Sequence, residues 1–329
     1  MLRAIGNKIT TAGIVIISWF LATACSPDFE SFNDVTKLRV LGISILPAEL
    51  NGGEKGVIDA LVIPGVKDGE TLEVKYEWSW CPISSGSINS YDCLVTDKQL
   101  QDSLSFAGDG AGSLPPLDLG SEPTALFEYD MDPAVLKQLC LQIKSLAAPS
   151  FVVLPDCDRE LNAIVKLKVS DGVDEVVAVK DLNLLLDENA VANNNPLLGE
   201  ISAISPDDGK KILLDEKNPA ELFEKTTYEI ELDVKKESSE EFWTRDDQGE
   251  PVQKKESLFV TWFKSGGDAE YRRTGYIDGE TQFEDINKNS WKTPKISDDG
   301  STAYLYIVLQ DERGGVTWIT RQIELKERL

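Results

Sequence analysis

Strict alternation of apolar and polar side chains is the feature that most restricts how this chain folds. From residue 72 to residue 80, Leu, Val, Tyr, Trp and Trp alternate with Glu, Lys, Glu and Ser. A period of two residues is the pattern of a β-strand with one buried and one solvated face. The alternation returns at residues 228–234 and 258–262, and turn-forming residues separate further short apolar runs. The chain is therefore predicted to be all-β.

The strand pattern occurs twice, which predicts two tandem β-sandwiches of the immunoglobulin-like kind. Trp78 and Trp262 occupy matching positions on central strands, and each half ends in a strand, an Asp-containing turn and a second strand. A Trp on a central strand and a repeated strand-rich unit are typical of such sandwiches. Residues 191–196, which end in the polar break Asn193-Asn194-Asn195-Pro196, separate the halves and are predicted to be a linker.

The first half is predicted to carry a loop-rich insertion at residues 82–160, where the alternation stops. The interval from the central Trp to the turn Asp is 93 residues in the first half and 49 in the second, so the excess is 44 residues. Within the insertion, Asp132 and Pro133 suit the N-cap and the first position of a helix. Apolar residues at 135, 136, 139, 143 and 146 lie on one helical face, so we expect one α-helix here.

The N-terminus has the composition of a secretory signal. Arg3 and Lys8 precede thirteen apolar-leaning residues, 9–21, and small residues stand before Cys25. This run is shorter than the roughly 20 residues needed to cross a bilayer. An ordinary secretory peptidase would also accept the Ala-Thr-Ala before Cys25. Acylation of Cys25 is favoured, because it leaves four further cysteines, an even number that suits an oxidising compartment.

The sequence resembles a known family in several short motifs. These are the lipobox-like residues 21–25, Leu-Arg-Val-Leu at 38–41, residues 76–82, Val-Ser-Asp-Gly at 169–172, Asn195-Pro196 and residues 311–315. With them the chain is similar to secreted bacterial lipoproteins with tandem Ig-like domains of the PKD-like kind, such as myxobacterial surface lipoproteins. The resemblance implies that Cys25 carries diacylglycerol and a further acyl chain. Ser26 after it implies sorting to the outer membrane, with the side of that membrane left open.

The predicted divisions follow from these patterns. They are, in chain order, a lipoprotein signal peptide at residues 1–24, a tether at 25–36, the first Ig-like sandwich at 37–190 with its insertion, the linker at 191–196, and the second sandwich at 197–329.

The net charge and the absence of histidine exclude several functions. After removal of residues 1–24, 31 Lys plus Arg face 57 Asp plus Glu, a net charge of −26. Such a charge repels phosphate backbones and anionic headgroups, so no nucleic acid is expected, and the lipid must supply membrane attachment. The sequence has no His. Ser-His-Asp and Cys-His nucleophiles and His-containing zinc sites are therefore excluded.

The remaining cysteines are expected to be structural. Spacing favours disulfides between Cys81 and Cys93 and between Cys140 and Cys157, although four cysteines allow three pairings. A four-thiolate zinc site is the alternative, but these separations lack the close pairs of zinc ligands. We expect no metal and no cofactor.

Other candidate site residues are acidic turns and tryptophans. Asp-rich turns at 207–209, 246–249 and 298–300 have carboxylates for calcium, but their spacing favours hairpin turns. Trp243 and Trp291 fall outside the predicted strands and are expected to be exposed contact residues.

These observations predict a non-enzymatic, lipid-anchored outer-membrane protein that acts as an interaction or structural module. Its partner would be a protein or a surface glycan. The alternative is a glycan- or peptidoglycan-processing enzyme that uses two carboxylates. A buried carboxylate pair lining a cleft of the first sandwich would favour the enzyme, and a flat aromatic patch would favour binding.

Overall fold

The structure is a computed structural model. It describes residues 31–105, 112–145, 157, 159–187, 190–245, 248, 250–297 and 300–328. The chain divides into two units, Met1–Phe32 and Asn33–Leu329, and both sandwiches belong to the second unit. The predicted signal peptide and Cys25 lie outside the described residues.

The first sandwich is built from two β-sheets. Its strands are, in chain order, β1 (Arg39–Leu46), β2 (Glu49–Leu50), β3 (Lys55–Ile63), β4 (Val66–Lys67), β5 (Glu70–Thr71), β6 (Lys75–Cys81), β7 (Asp118–Gly120), β8 (Ala125–Glu128), β9 (Glu160–Ser170) and β10 (Glu175–Leu185). One sheet has the order β1-β3-β8 and the other β2-β10-β9-β6-β7, while β4 and β5 form a short ribbon. Trp78 and Trp80 are 1% exposed, and the Trp80 ring meets Phe127 of the opposite sheet at 5.0 Å.

The insertion contributes more to the sandwich than the sequence suggests. It supplies β7 and β8, one edge strand for each sheet. The predicted helix forms as α2 (Pro133–Ser145), and Asp132 caps it by accepting a 2.8 Å hydrogen bond from the Ala134 N–H. A second helix, α1 (Asp97–Ser105), was not predicted.

A capping box begins α1. The Gln99 side chain accepts a 2.9 Å hydrogen bond from the Thr96 N–H, and the Thr96 hydroxyl accepts one of 3.3 Å from the Gln99 N–H. Thr-x-x-Gln is a sequence signal for a helix start, so this helix was predictable. Leu100 and Leu104 bury its apolar side.

The predicted disulfides are confirmed. Cys81 is bonded to Cys93, and Cys140 is bonded to Cys157. The second disulfide joins α2 to the chain just before β9 and is buried. All four thiols are used, which rules out the four-thiolate zinc site.

The second sandwich repeats this architecture. Its strands are β11 (Leu198–Ile204), β12 (Lys211–Leu213), β13 (Ala220–Phe223), β14 (Thr227–Val234), β15 (Glu241–Arg245), β16 (Pro251–Lys255), β17 (Leu258–Lys264), β18 (Asp268–Ala269), β19 (Arg273–Tyr276), β20 (Lys288–Lys292), β21 (Thr302–Asp311) and β22 (Val316–Lys326). The sheets have the orders β12-β11-β14-β20-β18 and β13-β22-β21-β17-β19, and β15 pairs with β16 in a separate hairpin.

Corresponding strands of the two sandwiches match in pairing and direction. A short edge strand runs parallel to the last strand in each case, β2 beside β10 and β13 beside β22. The Trp78 strand β6 pairs with β9, as the Trp262 strand β17 pairs with β21. The protein is therefore all-β, with two tandem Ig-like sandwiches, as predicted.

The two sandwiches pack side by side through a hydrophobic cluster of their own. Its buried members are Val35, Leu41, Phe263, Tyr306, Val308 and Val316, with Leu61, Ile63, Tyr304 and Trp318 at its edge. The predicted linker belongs to this joint. Asn195 Nδ2 donates to the Ile45 carbonyl at 2.7 Å, and its Oδ1 accepts from the Val316 N–H at 2.8 Å. Asn195 therefore bridges the two sandwiches, whereas Val191 and Asn194 of the same segment are exposed.

The end of the predicted tether also packs against the protein body. Buried Asn33 donates through Nδ2 to the carbonyls of Trp262 at 2.5 Å and Arg272 at 2.9 Å. The Val35 N–H donates to the Lys264 carbonyl at 2.8 Å. Residues 33–35 are thus bound to the second sandwich, whereas the sequence indicated a free tether as far as residue 36. Within the described residues, no helix is both long and apolar enough to span a bilayer.

Candidate functional site

The two predicted contact tryptophans differ in environment. Trp243 lies on β15 and is 65% exposed. The prediction for Trp291 was wrong, because this residue lies on β20 and is 1% exposed. Its register partner is Tyr228, and its indole N–H donates to the Gly266 carbonyl at 3.2 Å. The sequence of β20, Lys-Asn-Ser-Trp-Lys, does not alternate between apolar and polar residues, because the other buried position of this strand is the polar Asn289. The sequence therefore did not predict this strand.

Of the three acidic turns, only residues 207–209 are described completely. In the turn after β11, Lys210 lies 2.6 Å from the Asp208 carboxylate and, with nearby hydrogen bonds, lowers the pKa of Asp208 to about 2. Residues 246, 247, 249, 298 and 299 of the other two turns lie outside the described part. No group of three or more Cys, Asp or Glu suited to a metal ion occurs in the described part of the chain.

A buried cluster of charged residues closes the joint between the sandwiches. Arg313 lies in the turn between β21 and β22, and its side chain is 7% exposed. Its guanidinium contacts Glu256 through Nε, lies 2.8 Å from Glu240 and 3.8 Å from Glu49 of the first sandwich. The guanidinium carbon lies 5.2 Å from the centre of the Phe242 ring. One arginine therefore joins carboxylates from both sandwiches.

Asp311 and Asn193 extend the charged cluster. Asn193 Nδ2 lies 3.2 Å from both carboxylate oxygens of Asp311, and its N–H donates to Glu49 at 2.8 Å. The Gly315 N–H donates to Asp311 at 2.7 Å. A Cβ on Gly315 would lie 2.1 Å from the Asp311 carboxylate, so this position requires glycine. Half-buried Lys180 of β10 donates to the Gly314 carbonyl.

Burial changes the pKa values of three ionisable side chains in this cluster. Burial raises the pKa of Glu256 to about 7, although Arg313 opposes the shift. Burial likewise raises the pKa of Asp311 and lowers that of Lys180. A buried carboxyl with a raised pKa has the property of a general acid. Glu256 is 0% exposed, however, so its carboxyl serves the joint and has no access to a substrate.

An open cleft lies beside the charged cluster. Its volume is about 560 Å³, and the residues along it include Leu46, Asn194, Pro196, Leu197, Glu237 and Glu240. Leu46 is 62% exposed and Leu197 is 53% exposed. Clefts between domains are common binding sites, so this is the leading candidate site.

An exposed line of apolar side chains continues from the cleft across the first sandwich. Leu46 of β1 is the register partner of Val57 of β3, which is the partner of Leu126 of β8. They are 62%, 42% and 56% exposed, respectively. Directly opposite cross-strand side chains lie about 5 Å apart, so the three form a continuous strip, here called the apolar row. The sequence missed this row because strand pairing, which no local pattern specifies, brings the three residues together.

A second, polar groove of about 440 Å³ lies on the outer face of β6, β7 and β9. Glu77 and Asp118 line it together with Lys166 and Lys168. The Glu77 side chain is 71% exposed and lies 3.9 Å from Lys168. These carboxylates are therefore solvated and are not the buried pair that the enzyme alternative needs.

The solved structures reported below resemble this chain only distantly in sequence. No protein-family model and no curated protein matches the sequence. Among solved structures, a chimeric titin Z1Z2 tandem is 10% identical over 89% of this chain and 100% of its own, with a TM-score of 0.23. The immunoglobulin domains 1–5 of Sidekick-1 are 10% identical over 89% of this chain and 40% of their own, with a TM-score of 0.19. Escherichia coli alpha-2-macroglobulin is 10% identical over 90% of this chain and 23% of its own, with a TM-score of 0.22.

Proposed function

We propose that this protein is a non-catalytic interaction module of the cell envelope, anchored in the outer membrane by lipid on Cys25. One observation carries the interaction role: an exposed apolar row leads into an open cleft at the joint of the two sandwiches. Contiguous exposed apolar surface with a polar rim is typical of a protein contact site. The partner is a protein or a surface glycan.

The placement of the carboxylates supports a role without catalysis. Glu49 and Glu256, the two buried glutamates among the described residues, are 2% and 0% exposed and are held by Arg313. Glu77 and Asp118, the carboxylates of the polar groove, are exposed. A glycosidase needs two carboxyl groups that flank a bound sugar, one of them with a raised pKa. Glu256, the carboxyl whose pKa is raised to about 7, is buried at the joint and does not line the polar groove. This separation disfavours the enzyme alternative.

The anchor proposal rests on the N-terminal sequence. A basic start, an apolar run and small residues before Cys25 are typical of an exported lipoprotein, and two disulfides suit an oxidising compartment. Two or more acyl chains suffice for stable anchoring, whereas an acidic body has no electrostatic attraction to anionic headgroups.

Replacement of the acylated cysteine tests the anchor. We expect wild-type protein in the membrane fraction after a wash with concentrated salt, and Cys25→Ser protein in the soluble fraction. Ser31→Ala, a change beyond the lipobox, is the matched control and should stay with the membranes. Retention of the Cys25→Ser protein in the membranes, or salt release of the wild type, would refute a lipid anchor.

A further inference from the structure

We infer that the apolar row and the cleft form one docking surface for a cationic polypeptide segment that also carries apolar side chains. This inference rests on the proposed interaction function and names the class of partner.

A protein contact on the same face of the sheet supports a protein partner. Val57, Asp59, Leu61 and Ile63 alternate along β3 and therefore point to the same side of the sheet. Leu61 and Ile63 pack against the cluster that joins the two sandwiches, whereas Val57 is 42% exposed. One end of this sheet face is thus covered by a protein surface, and the apolar row lies uncovered toward the other end, beyond the exposed Asp59.

The apolar row also lies where a bound segment can enter the cleft. Leu46 belongs both to the row and to the lining of the cleft, which continues to Leu197 on the second sandwich. A segment that follows the row would therefore contact both sandwiches. Leucine and valine side chains suit apolar side chains of a polypeptide. A glycan would require an aromatic platform, and the exposed Trp243 is not part of the row or of the cleft lining.

Charge favours a cationic segment. Glu237 is exposed at the cleft, and Asp59 is exposed on β3 two residues from Val57. Lys55, next along that face of β3, is already paired with Glu128 at 2.7 Å. The whole chain has a net charge of −24, which repels a second copy and attracts a cation. Electrostatic attraction would guide the segment, and the apolar row would hold it.

The test uses the mature wild-type chain and a defined probe, acetyl-Lys-Leu-Lys-Leu-Lys-Leu-amide, titrated by calorimetry at physiological salt. The comparison peptide has Glu in place of Lys. We expect the Lys peptide to bind and the Glu peptide to bind at least about tenfold more weakly. Leu46→Ser with Leu126→Ser should weaken binding of the Lys peptide about tenfold, because two apolar contacts are lost.

Val66→Ser with Val173→Ser is the matched control, since both valines are 63% exposed and lie outside the apolar row. This control should change the affinity less than about twofold, because surface substitutions away from a site have small effects. An equal loss in both double variants would mean general attraction to an acidic protein and would overturn the docking surface. Absence of binding by the Lys peptide, or equal binding of the Glu peptide, would overturn it as well.

Hydrogen exchange of the wild-type protein gives a readout that does not depend on the folding of a variant. The Lys peptide should slow exchange at residues 44–46, 55–59 and 125–128, and protection only elsewhere would overturn the site. These results are separable from the proposed function. The interaction role stands if a partner binds at Trp243, and it fails if no partner binds the protein in its membrane.

Discussion

Arg313 shows how single residues hold the joint and how much of this the sequence conceals. The sequence places an Asp-containing turn before the last strand, and Gly314 in that turn has a φ of 95°. It does not identify the guanidinium as the centre of a charged cluster. Glu49, which contacts it, is 264 residues away in the sequence, so the contact depends on the packing of two sandwiches. Local patterns contain no information about such pairs.

The raised pKa of Glu256 makes the joint sensitive to pH. Among the described residues, Glu256 lies with Glu49, Glu240 and Asp311 around Arg313, and burial favours the protonated form of its carboxyl. Its pKa is about 7 in the folded protein, against an ordinary value of 4.5. The stabilising effect of the proton is therefore complete below about pH 4.5 and is lost as the pH rises through 7.

Glu256→Gln, which mimics the protonated carboxyl, should remove this effect. Relative to the variant, the wild type should lose about 1–3 kcal/mol of unfolding free energy between about pH 5 and pH 8. Denaturant unfolding of both proteins at the two pH values measures the difference. Identical pH dependence in the two proteins would show that Glu256 is ionised throughout.

Trp243 and Trp291 differ in burial, and this difference gives a second prediction for single residues. Trp291→Ala should cost about 3–5 kcal/mol of unfolding free energy, because it empties a site in the core of the second sandwich. Trp243→Ala should change the same quantity by less than about 0.5 kcal/mol, since the side chain is 65% exposed. Equal effects in a denaturant titration would contradict the assigned environments.

Secondary structure elements were the most predictable part of the fold. Alternation located β6, β14 and β17, and Asp132 with Pro133 located the start of α2. Alternation did not locate strands in which a buried position carries a polar residue, as in β20. The sequence also failed to predict the two strands of the insertion, because β7 and β8 are only three and four residues long. Strands this short show too few alternations to be distinguished from loops.

The disulfide at the end of α2 should stabilise the first sandwich. Cys140 and Cys157 close a loop of 17 residues, for which chain entropy predicts a contribution of about 3 kcal/mol. The double substitution Cys140→Ser with Cys157→Ser should lower the unfolding free energy by about that amount. It should also speed proteolysis between α2 and β9. Unchanged stability and unchanged protease resistance would mean that the disulfide adds nothing to the packing of α2.

The whole molecule combines its two sandwiches into one packed body. The sequence indicated a linker and a tether, yet both segments make contacts: Asn195 bridges the sandwiches, and Asn33 is bonded to the second one. Polar residues such as Asn look like loop residues in a sequence. Here their amides satisfy backbone groups at the joint, a role that depends on tertiary structure. This packing also sets Leu46 beside Leu197 along the cleft.

Site-specific photo-crosslinking in intact cells tests the proposed function most directly. A photoreactive residue would replace Leu126 in the apolar row, Trp243 on the β15–β16 hairpin, or Val173 in the turn after β9 as the control. We predict discrete crosslinked products at Leu126, with or without products at Trp243, and none at Val173. Products at Trp243 alone would retain the interaction role but place it away from the cleft. The absence of products at both Leu126 and Trp243, or the same products at all three positions, would contradict an interaction module.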